Sequence, residues 1–277
     1  MDAIGNPSKG GEGGDCQNTL VAPLVIPKLT TCPSSGRVLG CMKKMKPTGY
    51  LLHEGETNGA SYLAIATLKT SNRKTGPMVQ IWFLLRDVNP VDCVKSGLDA
   101  QTVCQDCPFA SGNGCYVNVG QAPNAIWKGY HRGIYPRLNP KDYGDVFGGK
   151  KVRFGAYGNP TLLPLSMVKA IASVSSGWTG YFHDWKTNPL AKEYGKYFMA
   201  STETQDSLRQ ALGLKFRVFH ASAEKPEGAM ECLAETKNMS CADCQLCQGL
   251  AKARQPSIWI NPHGSKASKA KAVSLST

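Results

Sequence analysis

Short apolar runs rich in β-branched and aromatic residues recur between residues 62 and 261, and polar or amphipathic stretches separate them. Runs of this length and composition predict strands, here over 62–68, 79–85, 152–157, 179–185, 197–201, 216–220 and 257–261. Two intervening stretches have helical spacing. Apolar residues recur at Leu165, Val168, Ile171 and Ala172 within 162–173, and a short amphipathic segment fills 204–212 behind Ser201 and Thr202. Strands alternating with helices predict an α/β fold, read here as a partial β/α (TIM-like) barrel. A Cys-rich, metal-binding insertion near the C-terminus falls between its last two strands. In such folds ligands bind at the carboxyl ends of the strands, where this chain places Gly158, Asn159, His183, Asp184, Thr202, Glu203, His220, Asn261 and His263.

The ends differ from the middle. Residues 1–15 are glycine-rich with few apolar positions, and 264–277 alternate Ser, Ala and Lys, so both are expected to be disordered. That leaves 16–263 as a single α/β domain. No window reaches the roughly 18 apolar residues of a membrane-spanning helix, and the N-terminus lacks a signal peptide's charged start and apolar run. These features predict a cytoplasmic protein with no membrane partner. Reducing conditions there make the eleven cysteines ligands and buried thiols rather than disulfides. The net charge of +12 favours a nucleic-acid partner, DNA or RNA, and fits a merely solvated basic surface equally well.

Seven cysteines fall into two groups with loops at 93–115 and 232–247. The first reads Cys104-Gln-Asp-Cys107, then Cys115 followed by Tyr116. Three thiolates hold a four-iron cluster and leave one iron open; with Cys93 as a fourth sulfur they make a closed zinc site instead. The second group, Cys241-Ala-Asp-Cys244-Gln-Leu-Cys247, repeats a two-residue gap familiar from ferredoxin-like iron–sulfur loops. Its fourth ligand is Cys232 or His263, and zinc or an iron–sulfur cluster suits it. Cys16, Cys32 and Cys41 are widely spaced and read as free thiols.

Three cysteines with a tyrosine after the last, followed by the strand Val152-Arg153-Phe154-Gly155-Ala156-Tyr157 ending in Gly158-Asn159-Pro160, resemble the opening of a radical S-adenosylmethionine enzyme. The spacing of the cysteines differs from that family's, and Asn159 stands where it has an acid. The resemblance implies that Cys104, Cys107 and Cys115 bind a four-iron cluster whose open iron chelates S-adenosylmethionine. Gly158 and Asn159 would then line the amino-acid end of that cofactor. Cys232, Cys241, Cys244 and Cys247 would hold an auxiliary cluster or zinc. Over roughly residues 90 to 265 the arrangement is similar to a group of uncharacterised bacteriophage proteins, the gene-product-eighty-eight type, which implies a phage context and acts on no stated substrate.

Two other readings use the same residues. The chain also resembles the tRNA-guanine and phage DNA-guanine transglycosylases, barrel enzymes with a structural zinc that exchange a base through a carboxylate nucleophile. Asp184 is the first candidate for that nucleophile and Glu203 the second, with Tyr157, Phe182 or Trp185 holding the flipped base. A non-enzymatic nucleic-acid-binding module stapled by two zinc sites needs only the charge and the cysteines, and predicts closed metals and no pocket. His53 and His131 read as ordinary histidines. Trp127, Tyr130 and Tyr135 interleave with Lys128, Arg132 and Arg137, either as a nucleic-acid surface or as a helix with its aromatics packed inward.

Overall fold

The computed structural model describes residues 46–249 and 255–275. Strands β1 (Gly49–Thr57), β2 (Ala60–Thr67) and β3 (Val79–Leu85) come first. Helices α1 (Pro90–Lys95), α2 (Leu98–Gln101), α3 (Ala122–His131) and α4 (Tyr143–Phe147) then lead to β4 (Lys151–Tyr157). Helix α5 (Leu165–Val174) leads to β5 (Gly177–Phe182), α6 (Ala191–Tyr194) to β6 (Met199–Thr202), and α7 (Gln205–Gly213) to β7 (Val218–Ala221). Strand β8 (Met230–Glu231) and helices α8 (Leu233–Thr236) and α9 (Cys241–Cys244) precede β9 (Ile258–Ile260), and α10 (Ala267–Leu275) follows.

All nine described strands join one sheet in the order β1-β2-β3-β4-β5-β6-β7-β9-β8. The first two pairings are antiparallel and all later ones parallel. Strands β3 to β7 stand side by side in chain order with helical crossovers, which is the β–α repeat that the alternating pattern predicts. The sheet is open: among the described residues β1 and β8 are edges and do not pair with each other. Each strand expected between 62 and 261 is present, and the cysteine-rich insertion does lie between β7 and β9. Strand β1 is an addition. It is joined to β2 by Asn58 and Gly59, both at positive φ (47° and 75°), the left-handed pair that a tight hairpin turn needs.

The parallel strands present two faces, with the alternation broken on β4 at Gly155, which has positive φ. On the outer face, Ile81, Phe83, Phe154 and Phe182 are buried beneath the helices. There the Phe154 and Phe198 rings meet at 5.2 Å and Phe182 meets Phe216 edge-on at 5.7 Å. Gly180 is needed at this layer, since a Cβ would stand 2.6 Å from the Phe198 ring. On the inner face, Gln80, Trp82, Arg153, Tyr157, Thr179, Tyr181, Ser201 and Phe219 line a cavity. The core is therefore the outer layer, and the inner layer is left for other chemistry.

Two sequence expectations change. The segment 264–277, expected to be disordered, contains α10, because Ala270 packs on Gly114 so closely that a Cβ there would lie 2.8 Å from the Ala270 Cα. The aromatics of α3 face inward: the Trp127 indole donates to the Leu85 and Arg86 carbonyls at 3.1 Å each, and the Tyr130 hydroxyl donates to Glu54 at 3.0 Å. The glycine-rich 1–15 segment and Cys16, Cys32 and Cys41 lie outside the described residues. No described helix is long and apolar enough to cross a membrane.

Phe154→Ala opens a hole in the aromatic layer, and about 3–5 kcal/mol of stability should be lost. Urea unfolding would show this as a lower midpoint with an unchanged slope; a shift below 1 kcal/mol would mean that the outer layer is not the core.

Candidate functional site

The inner face encloses a cavity of about 810 Å³, within the usual range for small-molecule sites. Cys104, Cys107 and Cys115 reach its wall, and so do Cys232, Cys241, Cys244 and Cys247. Residues far apart in the chain thus line one cavity, which is partly open to solvent.

Asp99, only 2% exposed, holds the first cysteine loop. Its carboxylate accepts from the Ser111 amide at 2.9 Å and hydroxyl at 2.8 Å, the Cys104 thiol lies 3.9 Å from it, and its carbonyl accepts from the Cys104 amide at 2.8 Å. Gln105 and Asp106, between the first two cysteines, and Ser111 all adopt positive φ, a costly backbone that persists only where its surroundings impose it. The loop is laced to the end of β4: the Asn159 amide donates to the Val103 carbonyl at 2.7 Å and its side chain to Gln105 Oε1 at 2.8 Å. Gly158 has φ +82°, and a Cβ there would sit 2.6 Å from Phe83 Cβ. Gly158 and the three cysteines consequently line one stretch of wall, with Asn159 fully buried behind it.

The second loop docks at the opposite end of the strands. Ser240 caps α9, the Cys241 amide donates to the Lys74 carbonyl at 2.8 Å, and the Ala242 amide donates to the Thr75 carbonyl at 2.9 Å. Lys151, at the start of β4, donates to the Ala242 carbonyl. Further on the loop runs beside β5, where the Gly180 amide donates to the Cys247 carbonyl at 3.2 Å. Seven strand residues at ~3.3 Å each put roughly 20 Å between the two ends.

Burial raises the pKa of Cys104, Cys107, Cys115, Cys232, Cys241 and Cys247. Cys104 and Cys107 are held well above the ordinary thiol range, first by desolvation and then by neighbouring acidic groups, among them Cys107 for Cys104 and Glu203 for Cys107. Cys247 is pushed up to about 12 by burial. Electrostatic coupling links Cys247 to Cys232, Cys241 and Cys244. His263 also lines the wall, but its Nε2 accepts from Lys74 Nζ at 2.7 Å and its Nδ1 donates to the Asn261 carbonyl at 3.1 Å. Cys93 is buried on α1 and is not among the residues of the wall.

Among the described residues, no group of three or more His, Cys, Asp or Glu side chains is arranged as a ready-made site for a metal ion, and all eight cysteines are free thiols. The donor numbers nevertheless fit the groups implied by the sequence. Three soft thiols suit a cluster with one open iron, and four suit a closed centre. Because the thiols carry protons, loading either set must release them.

No protein-family model, curated protein or solved structure matches this chain.

The carboxylates stand elsewhere. Asp184 is not on the wall; it accepts from Thr161 at 2.9 Å and Asn188 at 2.6 Å, tying together the turns that follow β4 and β5. Its neighbour His183, the residue just after β5, does line the cavity. Glu203 is buried off the wall, accepts from Ser201 at 2.9 Å and is raised to about 7 by desolvation. His183 Nδ1 lies 3.8 Å from it, but burial lowers His183 to about 4, so at neutral pH the two form no ion pair. The one carboxylate on the wall among the described residues is Glu235, bound to Lys74 at 2.7 Å. Sequence reading passed over Asp99, Gln80, Arg153 and Thr179. A polar residue inside an apolar strand run was the available signal for the last three.

Two outcomes follow from these contacts. Asp99→Ala releases the first loop, so Cys104 in the folded protein should be alkylated faster than in wild type, by peptide mass spectrometry; equal rates would show that Asp99 does not hold it. His220, buried with Nδ1 2.8 Å from the Thr202 hydroxyl, has its pKa lowered by desolvation from 6.5 to about 4. Unfolding takes up a proton between those values, so stability falls as pH drops from 6.5 towards 4. Glu203 acts with the opposite sign between 4.5 and 7. His220→Gln should flatten the acid limb in urea melts at stepped pH, and an unaltered slope would exclude His220 as a source.

Proposed function

We infer that this chain is an iron–sulfur enzyme of radical S-adenosylmethionine type, acting on a nucleotide or nucleic acid, with its open sheet curled as a partial β/α barrel around the cavity. The observation that carries this reading is the meeting of Cys104, Cys107 and Cys115 with Gly158 at the carboxyl end of β4, on the wall of a single cavity. When bound, a four-iron cluster with S-adenosylmethionine supplies one-electron chemistry. The chain's own part is to position and to exclude water. Cys104, Cys107 and Cys115 give up their protons to become ligands, Gly158 lets the end of β4 pack against Phe83 and the Val103 carbonyl beside the first loop, and the aromatic inner face lines the interior. Cys232, Cys241, Cys244 and Cys247 would hold a second cluster or zinc at the far end. Base exchange finds less support, because its carboxylate nucleophile has no candidate on the wall apart from Glu235, which Lys74 already engages. A module without an enzymatic site leaves a cavity of about 810 Å³ unexplained.

Iron, zinc and acid-labile sulfide measured on protein purified without oxygen test this reading. Wild type should carry about four irons at the first loop, lost in the combined Cys104→Ser, Cys107→Ser and Cys115→Ser variant while metal at the second loop stays. Dithionite-reduced wild type should cleave S-adenosylmethionine. Zinc alone at both loops would sink the proposal.

A further inference from the structure

Three adjacent strands place polar side chains side by side on the cavity wall near their amino ends, beside the second cysteine loop. Gln80 on β3 is in register with Arg153 on β4, and Arg153 with Thr179 on β5. All three line the cavity and are buried, with 3%, 8% and 1% of their surface exposed. Burying such groups is unfavourable unless partners are supplied. Gln80 has partners, donating to the Thr75 hydroxyl at 3.3 Å and the Met78 carbonyl at 3.4 Å. The Thr179 hydroxyl has none. Arg153 donates one Nη2–H to the Tyr116 hydroxyl at 2.8 Å and lies 5.7 Å from the Tyr181 ring centre, and among the described residues no carboxylate pairs with it. A guanidinium offers five donors and stays charged at any accessible pH.

We propose that the Gln80–Arg153–Thr179 row is an oxyanion subsite, which holds the phosphate or carboxylate of a small organic substrate. The planar fork of Arg153 matches either group through paired hydrogen bonds, and the adjacent Thr179 hydroxyl adds a donor. Beside them the Tyr181 and Phe219 rings stack at 4.1 Å on the same wall and give a flat organic body an apolar surface. Arg153 stands five residues before Gly158 on the same strand, roughly 16 Å away, and it meets the first cysteine loop through Tyr116, the residue after Cys115. Burial opposes the guanidinium charge, while Tyr116 and Tyr181 and then Cys241 and Cys247 favour it; charge balance for the second cysteine group is the competing role that a test must separate. Naming the anion a substrate rests on the enzymatic reading above; its binding does not.

Titration calorimetry on the full-chain protein, with metal content measured in every sample, tests the proposal with four probes: inorganic phosphate, adenosine monophosphate, adenosine and benzoate. Wild type should bind phosphate-bearing probes or benzoate, the first marking a phosphate and the second a carboxylate, and adenosine should bind more weakly than its monophosphate. Arg153→Gln should weaken the anion about tenfold or more. Thr179→Val, which keeps shape and leaves the charge in place, should weaken it a few-fold with metal unchanged, and decides the matter if the arginine variant does not fold. Failure of wild type to bind any anion would overturn the subsite even if iron is present. So would Arg153→Gln stripping metal from the second loop while Thr179→Val leaves anion affinity intact, since the guanidinium would then serve the thiols. Anion binding in protein that carries no iron would uphold the subsite while the iron–sulfur reading fails.

Discussion

Successive side chains on a strand point to opposite faces of the sheet, and along the parallel run the two faces carry different chemistry. Phenylalanines and aliphatic residues occupy the outer face, where the crossover helices cover them. That layer supplies the hydrophobic stabilisation, so the inner face is free to carry Gln80, Arg153, Thr179, Tyr181 and Ser201 around a cavity. A one-residue slip in any of these strands would exchange the faces, placing phenylalanine in the cavity and arginine under a helix. The cavity therefore depends on register, and register is held by packing on the outer face.

The two cysteine loops are held mainly by groups other than their sulfurs. Asp99 and the Asn159 amide fix the first; the carbonyls of Lys74 and Thr75 and the backbone of β5 fix the second. Burial favours the protonated form of Cys104, Cys107, Cys115, Cys232, Cys241 and Cys247, so a cation bound there must displace protons. Loop position and thiol chemistry are in this way separate, the first set by backbone hydrogen bonds and the second by desolvation.

Electrostatics along the wall is uneven. Cationic Arg153 lacks a carboxylate partner among the described residues, while His183, on the same wall, is pushed towards its neutral form by burial. A permanent positive charge without a carboxylate partner beside a neutral imidazole is suited to an anion.

How much of this was legible depends on the range of the forces involved. The apolar runs from 62 to 261 and the helical spacing of 162–173 express local periodicity, and strands and helices stand where those patterns put them. β1 was missed because Gly49–Thr57 mixes His53, Glu54 and Glu56 among few apolar residues; its pairing with β2 makes it a strand. The helix at 267–275 was missed because its alternation of small and basic residues has no apolar face, and contact with Gly114 orders it. The cysteine spacing by itself determined two soft-ligand groups. That both groups face one cavity from opposite ends, that His183 and not Asp184 looks into it, and that three strands align Gln80, Arg153 and Thr179 was decided only by the tertiary structure, because strand register and loop docking are long-range contacts that no local pattern encodes.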